Sequence, residues 1–115
     1  MIRTFLDLRV KPGHAERLAA AFERLAILDE SVAQSGCSSA DLSVSADGTT
    51  VTVTATWDST EAYAAWTSRD DRGELADQLN DHLVQPLDAA TVGRVYRILV
   101  SGAPGRPTDR EGQQR

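Results

Sequence analysis

The chain contains one cysteine (Cys37), one lysine (Lys11) and two histidines among its 115 residues, and each shortage closes a class of protein. A lone cysteine cannot form an intrachain disulfide, which fits a reducing compartment. With no second cysteine and no histidine at ligand spacing, Cys37 supports neither a zinc site nor a Cys–His nucleophile. Twelve basic against 17 acidic residues give a formal charge of −5, without a basic stripe. Duplex nucleic acid draws most of its affinity from clustered Lys and Arg, so a nucleic-acid partner is not expected. No stretch approaches the ~18 apolar residues needed to cross a bilayer. The N-terminal residues Met1 to Phe5 lack the basic, apolar, small-residue order of a secretion signal. These features indicate a cytoplasmic protein with no membrane partner. The glycines are scattered, and Val10-Lys11-Pro12-Gly13 lacks the spacing of a phosphate loop.

What is present is a normal globular balance, 41% apolar and 25% charged. A domain this small buries only part of the surface its unfolded chain exposes, so a partner subunit would help it. Over residues 2–10, Ile2, Leu6, Leu8 and Val10 share one parity and Arg3, Phe5, Asp7 and Arg9 the other, which predicts a strand with one apolar face. After Pro12-Gly13, apolar residues at Ala15, Leu18, Ala19, Phe22, Leu25 and Ala26 follow helical spacing, and a long first helix is predicted. Past Gly36, a second strand through Leu42 and Val44 reaches Asp47-Gly48, a hairpin dipeptide, and turns into a third. From Thr50 to Trp57 threonines alternate with Val51, Val53, Ala55 and Trp57, the clearest strand in the chain. Asp58 with Glu61 three residues on predicts a capped helix over Ser59 to Thr67. Asp70 or Asp71 can cap a further helix bearing Leu75, Leu79 and Leu83 that ends before Pro86. Residues 91–100 read as a last strand, and residues 102–115 as a mobile polar tail outside a single domain at 1–101.

The order β-α-β-β-α-α-β is a split pair of strand–helix–strand units: an α+β, ferredoxin-like fold with a four-stranded antiparallel sheet and helices on one face. The opposite sheet face would be bare, and a second copy of the sheet is its simplest cover, which implies a homodimer.

Val10-Lys11-Pro12-Gly13, a helix with Ala21-Phe22, Ser35-Gly36-Cys37, Trp57-Asp58-Ser59-Thr60-Glu61-Ala62-Tyr63 and Trp66-Thr67-Ser68 follow one another in an order that resembles the antibiotic biosynthesis monooxygenase family over roughly residues 2–100. The resemblance implies a dimeric α/β barrel with a pocket between sheet and helices in each subunit. It also implies oxidation of anthrones, naphthols or simpler quinols, in many members without metal or bound flavin. In the polyketide-oxidising members the tryptophan matching Trp66 is usually preceded, four residues earlier, by an asparagine; here that residue is Ala62. Haem-degrading relatives carry an asparagine on the first strand and a histidine ten residues past the tryptophan. This chain has no asparagine there and Ala76 at that spacing, so haem degradation is set aside.

Trp66 lies on one helical face with Ala62 and Tyr63, where an indole can stack on an aromatic substrate; the alternative is plain core. Phe22 is taken with them as substrate wall. His82, on the Leu75–Leu79 side of its helix, could be a general base or a hydrogen-bonded core-edge histidine, while His14 at a helix start reads as solvated. Arg69 and Arg72, between two short helices, could pair with a phenolate or belong to a local network with Asp70, Asp71 and Glu74. Asp7 could be a base of raised pKa or half of a dimer-face ion pair. Trp57 reads as sheet-to-helix core. The leading expectation is a small oxygenase using dioxygen on a phenolic or polycyclic aromatic substrate, with no tightly bound cofactor and diffusible reduced flavin as an optional reductant. The alternatives are a polyketide cyclase driven by Asp7 or His82 and a non-catalytic small-ligand-binding dimer.

Overall fold

The alternation over residues 2–9 and 50–57 becomes two central strands in the computed structural model, which describes residues 1–88 and 90–105. The elements are β1 (Ile2–Arg9), α1 (Ala15–Arg24), α2 (Ile27–Val32), β2 (Cys37–Val44), β3 (Thr50–Trp57), α3 (Thr60–Thr67), α4 (Arg72–Leu79), a 3-10 turn (Asn80–His82) and β4 (Arg94–Arg97). The sheet order is β2-β3-β1-β4 and every pairing is antiparallel, the ferredoxin-like α+β arrangement. Register sets the two faces: Ile2, Thr4, Leu6 and Leu8 lie opposite Trp57, Ala55, Val53 and Val51, while Arg3, Phe5, Asp7 and Arg9 lie opposite the four threonines.

The first row meets the helices. Leu8, Val10, Leu18, Phe22, Val51, Leu79 and Leu83 form the main buried cluster, and Ile2, Ala55 and Trp57 a second; Trp66 packs against both. Burying each large apolar side chain contributes about 1.5–3 kcal/mol, so the clusters fix how the helices lie on the sheet. The Asp47-Gly48 hairpin forms as expected. One Asp47 carboxylate oxygen accepts from the Ser45 hydroxyl at 2.7 Å, the Thr49 hydroxyl at 2.8 Å and the Thr49 amide at 3.1 Å. These bonds lower its pKa to about 2.

Four local expectations are corrected. The long first helix is broken into α1 and α2 by Ala26, whose left-handed φ of 53° ends one helical run and starts another. An L-residue there costs roughly 1–2 kcal/mol, and the redirected α2 buries Ile27 and Ser31. Ser59, not Asp58, caps α3, its hydroxyl accepting from the Ala62 amide at 3.2 Å. Asp71 stands at the start of α4 but its carboxylate caps nothing. The last strand is shorter than residues 91–100, starting only at Arg94, and it stops at Arg97 because β1 runs out: Arg97 pairs with Ile2 and the Ile98 amide reaches the carbonyl of Met1. Leu99 and Val100 are consequently 79% and 88% exposed. Of the expected tail, residues 102–105 are exposed and residues 106–115 lie outside the described residues. Among the described residues no helix is long and apolar enough to cross a membrane.

Candidate functional site

Where the helix-facing row carries Thr4, Val53 and Ala55, the sheet offers only small or medium side chains, and the helices do not close down on them. The resulting cavity, open to solvent at its mouth, has a volume of about 110 Å³. Phe22, Ile27 and Leu28 come from the first helical pair, Trp57 from the end of β3, Tyr63 and Trp66 from α3, Arg69 and Asp71 from the α3–α4 connection, and Arg72 from the start of α4. The Trp57 ring centroid is 5.5 Å from that of Tyr63 and 6.4 Å from that of Trp66, so three rings form one aromatic wall.

The polar groups on this wall are mostly committed. The Trp57 indole N–H donates to the buried Thr4 hydroxyl at 3.2 Å. The Tyr63 hydroxyl accepts from the Gly93 amide at 2.7 Å, fixing the entry into β4. Only glycine fits there, since a Cβ would meet the Phe5 carbonyl oxygen at 2.8 Å. Ser31 donates to the Leu28 carbonyl at 2.7 Å. Arg72 donates to the carbonyls of Thr67 at 3.2 Å and Thr91 at 2.7 Å, strapping the connection to the segment before β4.

Arg69 is disposed differently. Its guanidinium carbon lies 4.6 Å from the Trp66 ring centroid, and Nη2 donates to Glu30 at 3.0 Å and Asp71 at 2.8 Å. The Arg69 Nη1 and the Asp71 Oδ1 are buried without a hydrogen-bond partner among the described residues. Buried polar atoms are nearly always paired, and these two sit on one ion pair at the cavity.

The structure thus brings together Trp66, Tyr63, Phe22, Arg69 and Arg72 of the expected site. It does not bring Ala62, Asp7 or His82 there. Ala62 packs against Gly36, so closely that a Cβ on Gly36 would fall 2.8 Å from its own. Asp7 lies on the other sheet face, as its parity with Arg9 requires. It accepts from Thr52 at 2.7 Å and from Arg94 at 2.9 Å, an ion pair within the chain. His82 sits on the 3-10 turn beyond α4, with its Nδ1 3.1 Å from that of His14. The expectation that His14 is simply solvated is corrected too: it is half-buried. Desolvation, with the positive charge of Arg17 and with His82 and Lys11, lowers its pKa. The antiparallel bridge of Val10 with Leu83 holds this histidine pair away from the cavity residues.

Sequence reading missed Thr4, Ser31 and Asp71 as cavity residues. Thr4 did leave a signal, being the one hydroxyl in an otherwise apolar row of β1. Asp71 left only its place beside Arg69, and Ser31 none. Among the described residues no three His, Cys, Asp or Glu side chains converge in a way that could hold a metal ion.

A ferredoxin-like sheet with helices on one face and an aromatic-walled cavity between the layers defines an α+β domain of two layers around a pocket. The family model for antibiotic biosynthesis monooxygenase matches residues 1–78, and the chain belongs to that family. Among solved structures, Rv0793 from Mycobacterium tuberculosis superposes with a TM-score of 0.69 at 21% identity, over 89% of this chain and 98% of its own. A Nitrosomonas europaea protein assigned to the same family gives 0.68 at 22% identity, over 87% of this chain and 100% of its own. A conserved protein from Methanosarcina mazei Go1 gives 0.66 at 17% identity, over 84% and 90%. At such identities the likeness is one of fold. No curated protein sequence matches the chain significantly.

Proposed function

We propose that this protein is an oxygenase that uses dioxygen to oxidise a phenolic or polycyclic aromatic molecule, of the anthrone or naphthol kind, in natural-product biosynthesis. The observation that carries this reading is the wall of Trp57, Tyr63 and Trp66 with the Arg69 guanidinium over the Trp66 ring. A planar aromatic gains apolar contact and ring stacking there, and a cation at the edge favours its phenolate or enolate over the neutral form. The proton goes to solvent through the cavity mouth, and the electron-rich anion, held against the aromatic wall, passes one electron to dioxygen. Recombination at carbon gives a hydroperoxide, which loses water to leave a carbonyl. For an anthrone the balance is CH2 plus O2 giving C=O plus H2O. Diffusible reduced flavin from a separate reductase remains an accessory electron source in this proposal, with no cofactor held tightly.

The open sheet face supports a homodimer. Phe5 and Tyr96 meet edge to face there at 5.5 Å, the Asp7–Arg94 pair lies beside them, and Leu99 and Val100 extend past the sheet largely exposed. The cyclase reading loses its acid–base pair, since Asp7 and His82 lie outside the cavity. A purely structural module would be better served by a filled interior than by this cavity.

The test is oxygen uptake by the pure protein with anthrone and 1-naphthol, with and without reduced flavin. Quinone formation matched mole for mole by oxygen consumption, slowed by Trp66→Ala, supports the reading. No uptake under either condition, with ligand binding unaffected by Trp66→Ala, overturns it.

A further inference from the structure

Resting on that reading and sharpening its substrate class, we infer that Arg69 and Asp71 form a paired donor and acceptor that selects aromatics carrying one oxygen able to accept a hydrogen bond and a second, nearby oxygen able to donate one.

Three observations converge on this pair. First, Nη1 of Arg69 and Oδ1 of Asp71 are both buried and both without a partner among the described residues, although their sister atoms Nη2 and Oδ2 bond each other at 2.8 Å. One ion pair therefore leaves one donor and one acceptor unused, just beneath the surface of two residues that line the cavity. An unmade bond at a buried polar atom is costly, most of all on a charged group, and an occupant supplying both partners recovers both. Second, Asp71 occupies the first position before α4, where aspartate normally caps the helix, yet its carboxylate makes no capping bond. Its side chain is held toward Arg69 instead. Third, the neighbouring polar groups are already engaged: Arg72 donates to two carbonyls, the Tyr63 hydroxyl accepts from the Gly93 amide and the Trp57 indole donates to Thr4.

Access has a weak latch. Arg69 is held on its outer side by Glu30 at 3.0 Å, with the two side chains 26% and 48% exposed. Exposed ion pairs contribute little, so the Glu30 contact, which is made to Nη2, yields easily and lets the guanidinium turn over the Trp66 ring until Nη1 meets a ligand oxygen. The pattern this reads is that of a dihydroxylated ring: one oxygen, as phenolate or carbonyl, accepts from Nη1, and a neighbouring hydroxyl donates to Oδ1. A ring with ether oxygens alone satisfies Arg69 and leaves Asp71 facing a second acceptor.

The experiment is anaerobic calorimetric titration with three probes: 1,3-dihydroxynaphthalene, 1,3-dimethoxynaphthalene and naphthalene. The wild-type chain is expected to prefer the dihydroxy over the dimethoxy compound by at least about tenfold. Asp71→Asn is nearly isosteric and turns the free acceptor into an amide donor, so it inverts that preference, a result that a merely structural Asp71 would not give. Arg69→Met keeps an apolar cover on Trp66 and brings the dimethoxy probe, which depends on Arg69 alone, to the affinity of naphthalene. Equal wild-type binding of all three probes overturns the inference while leaving an aromatic pocket in place, and needs no variant to fold. A dihydroxy preference unchanged in Asp71→Asn overturns it as well. Failure of all three to bind overturns both this inference and the oxygenase reading beneath it.

Discussion

Replacing Thr4 by valine isolates one buried bond on which the aromatic wall depends. Thr4 is 5% exposed and Trp57 1% exposed, and the Trp57 indole N–H donates to the Thr4 hydroxyl at 3.2 Å. Valine has nearly the same shape, so Thr4→Val removes the acceptor without opening a void and leaves the indole N–H buried and unpaired. The cost of such an orphan is about 1–3 kcal/mol, and relief from burying the hydroxyl offsets part of it, for a net loss of roughly 1–2 kcal/mol. With a urea m-value of about 1.5 kcal/mol/M for a domain of this size, the midpoint should fall by roughly 1 M. Urea titration followed by circular dichroism measures this. The same titration on Trp57→Phe and on the double variant closes a thermodynamic cycle, in which a coupling of about 1 kcal/mol is expected because the valine costs little once no indole is present. A Thr4→Val midpoint indistinguishable from wild type, or a coupling near zero, would refute the idea that this bond holds the wall.

Ala26→Gly should stabilise the chain by about 0.5–1 kcal/mol, because the φ of 53° at the break between α1 and α2 costs glycine nothing; a thermal melt checks it, and a lower midpoint would deny the strain. Tyr63→Phe removes the acceptor of the Gly93 amide at 2.7 Å and should cost about 1 kcal/mol. It should also speed hydrogen exchange at the Gly93 amide, and unchanged protection there would count against the bond. The lowered pKa of His14 makes stability depend on pH near neutrality. The unfolded chain binds this proton more readily, so the contribution is complete above the unfolded value near 6.5 and is lost as pH falls through the lower folded one. The melting temperature should therefore drop between pH 7.5 and 5.5 and His14→Asn should flatten the slope; parallel slopes would exclude it.

Much of the fold was legible because local patterns have physical periods. The alternation of threonine with Val51, Val53, Ala55 and Trp57 fixed both the third strand and the face it buries. Asp47-Gly48 fixed the hairpin, and the parity of Asp7 already put it opposite the Leu6–Leu8 row, which is why it could not join a cavity on the helix side. Trp66 and Tyr63, three residues apart on one helix, belonged together in sequence and do so in space.

The sequence by itself therefore determined the strands, the α+β order, the sheet faces and the pairing of Tyr63 with Trp66 on one helix, while Trp57 read only as core. Tertiary structure alone decided where the first helix breaks, since Ala26 carries no glycine or proline signal and is left-handed only because packing compensates its strain. It decided where the last strand stops, because β4 can pair only as far as β1 reaches. It also decided that Thr4, Ser31, Arg69 and Asp71, drawn from separate segments, meet at one cavity while His82 turns away to His14. Periodicity says which side of an element a residue faces. Which residues of different elements then meet depends on how the layers pack, and no local pattern encodes that.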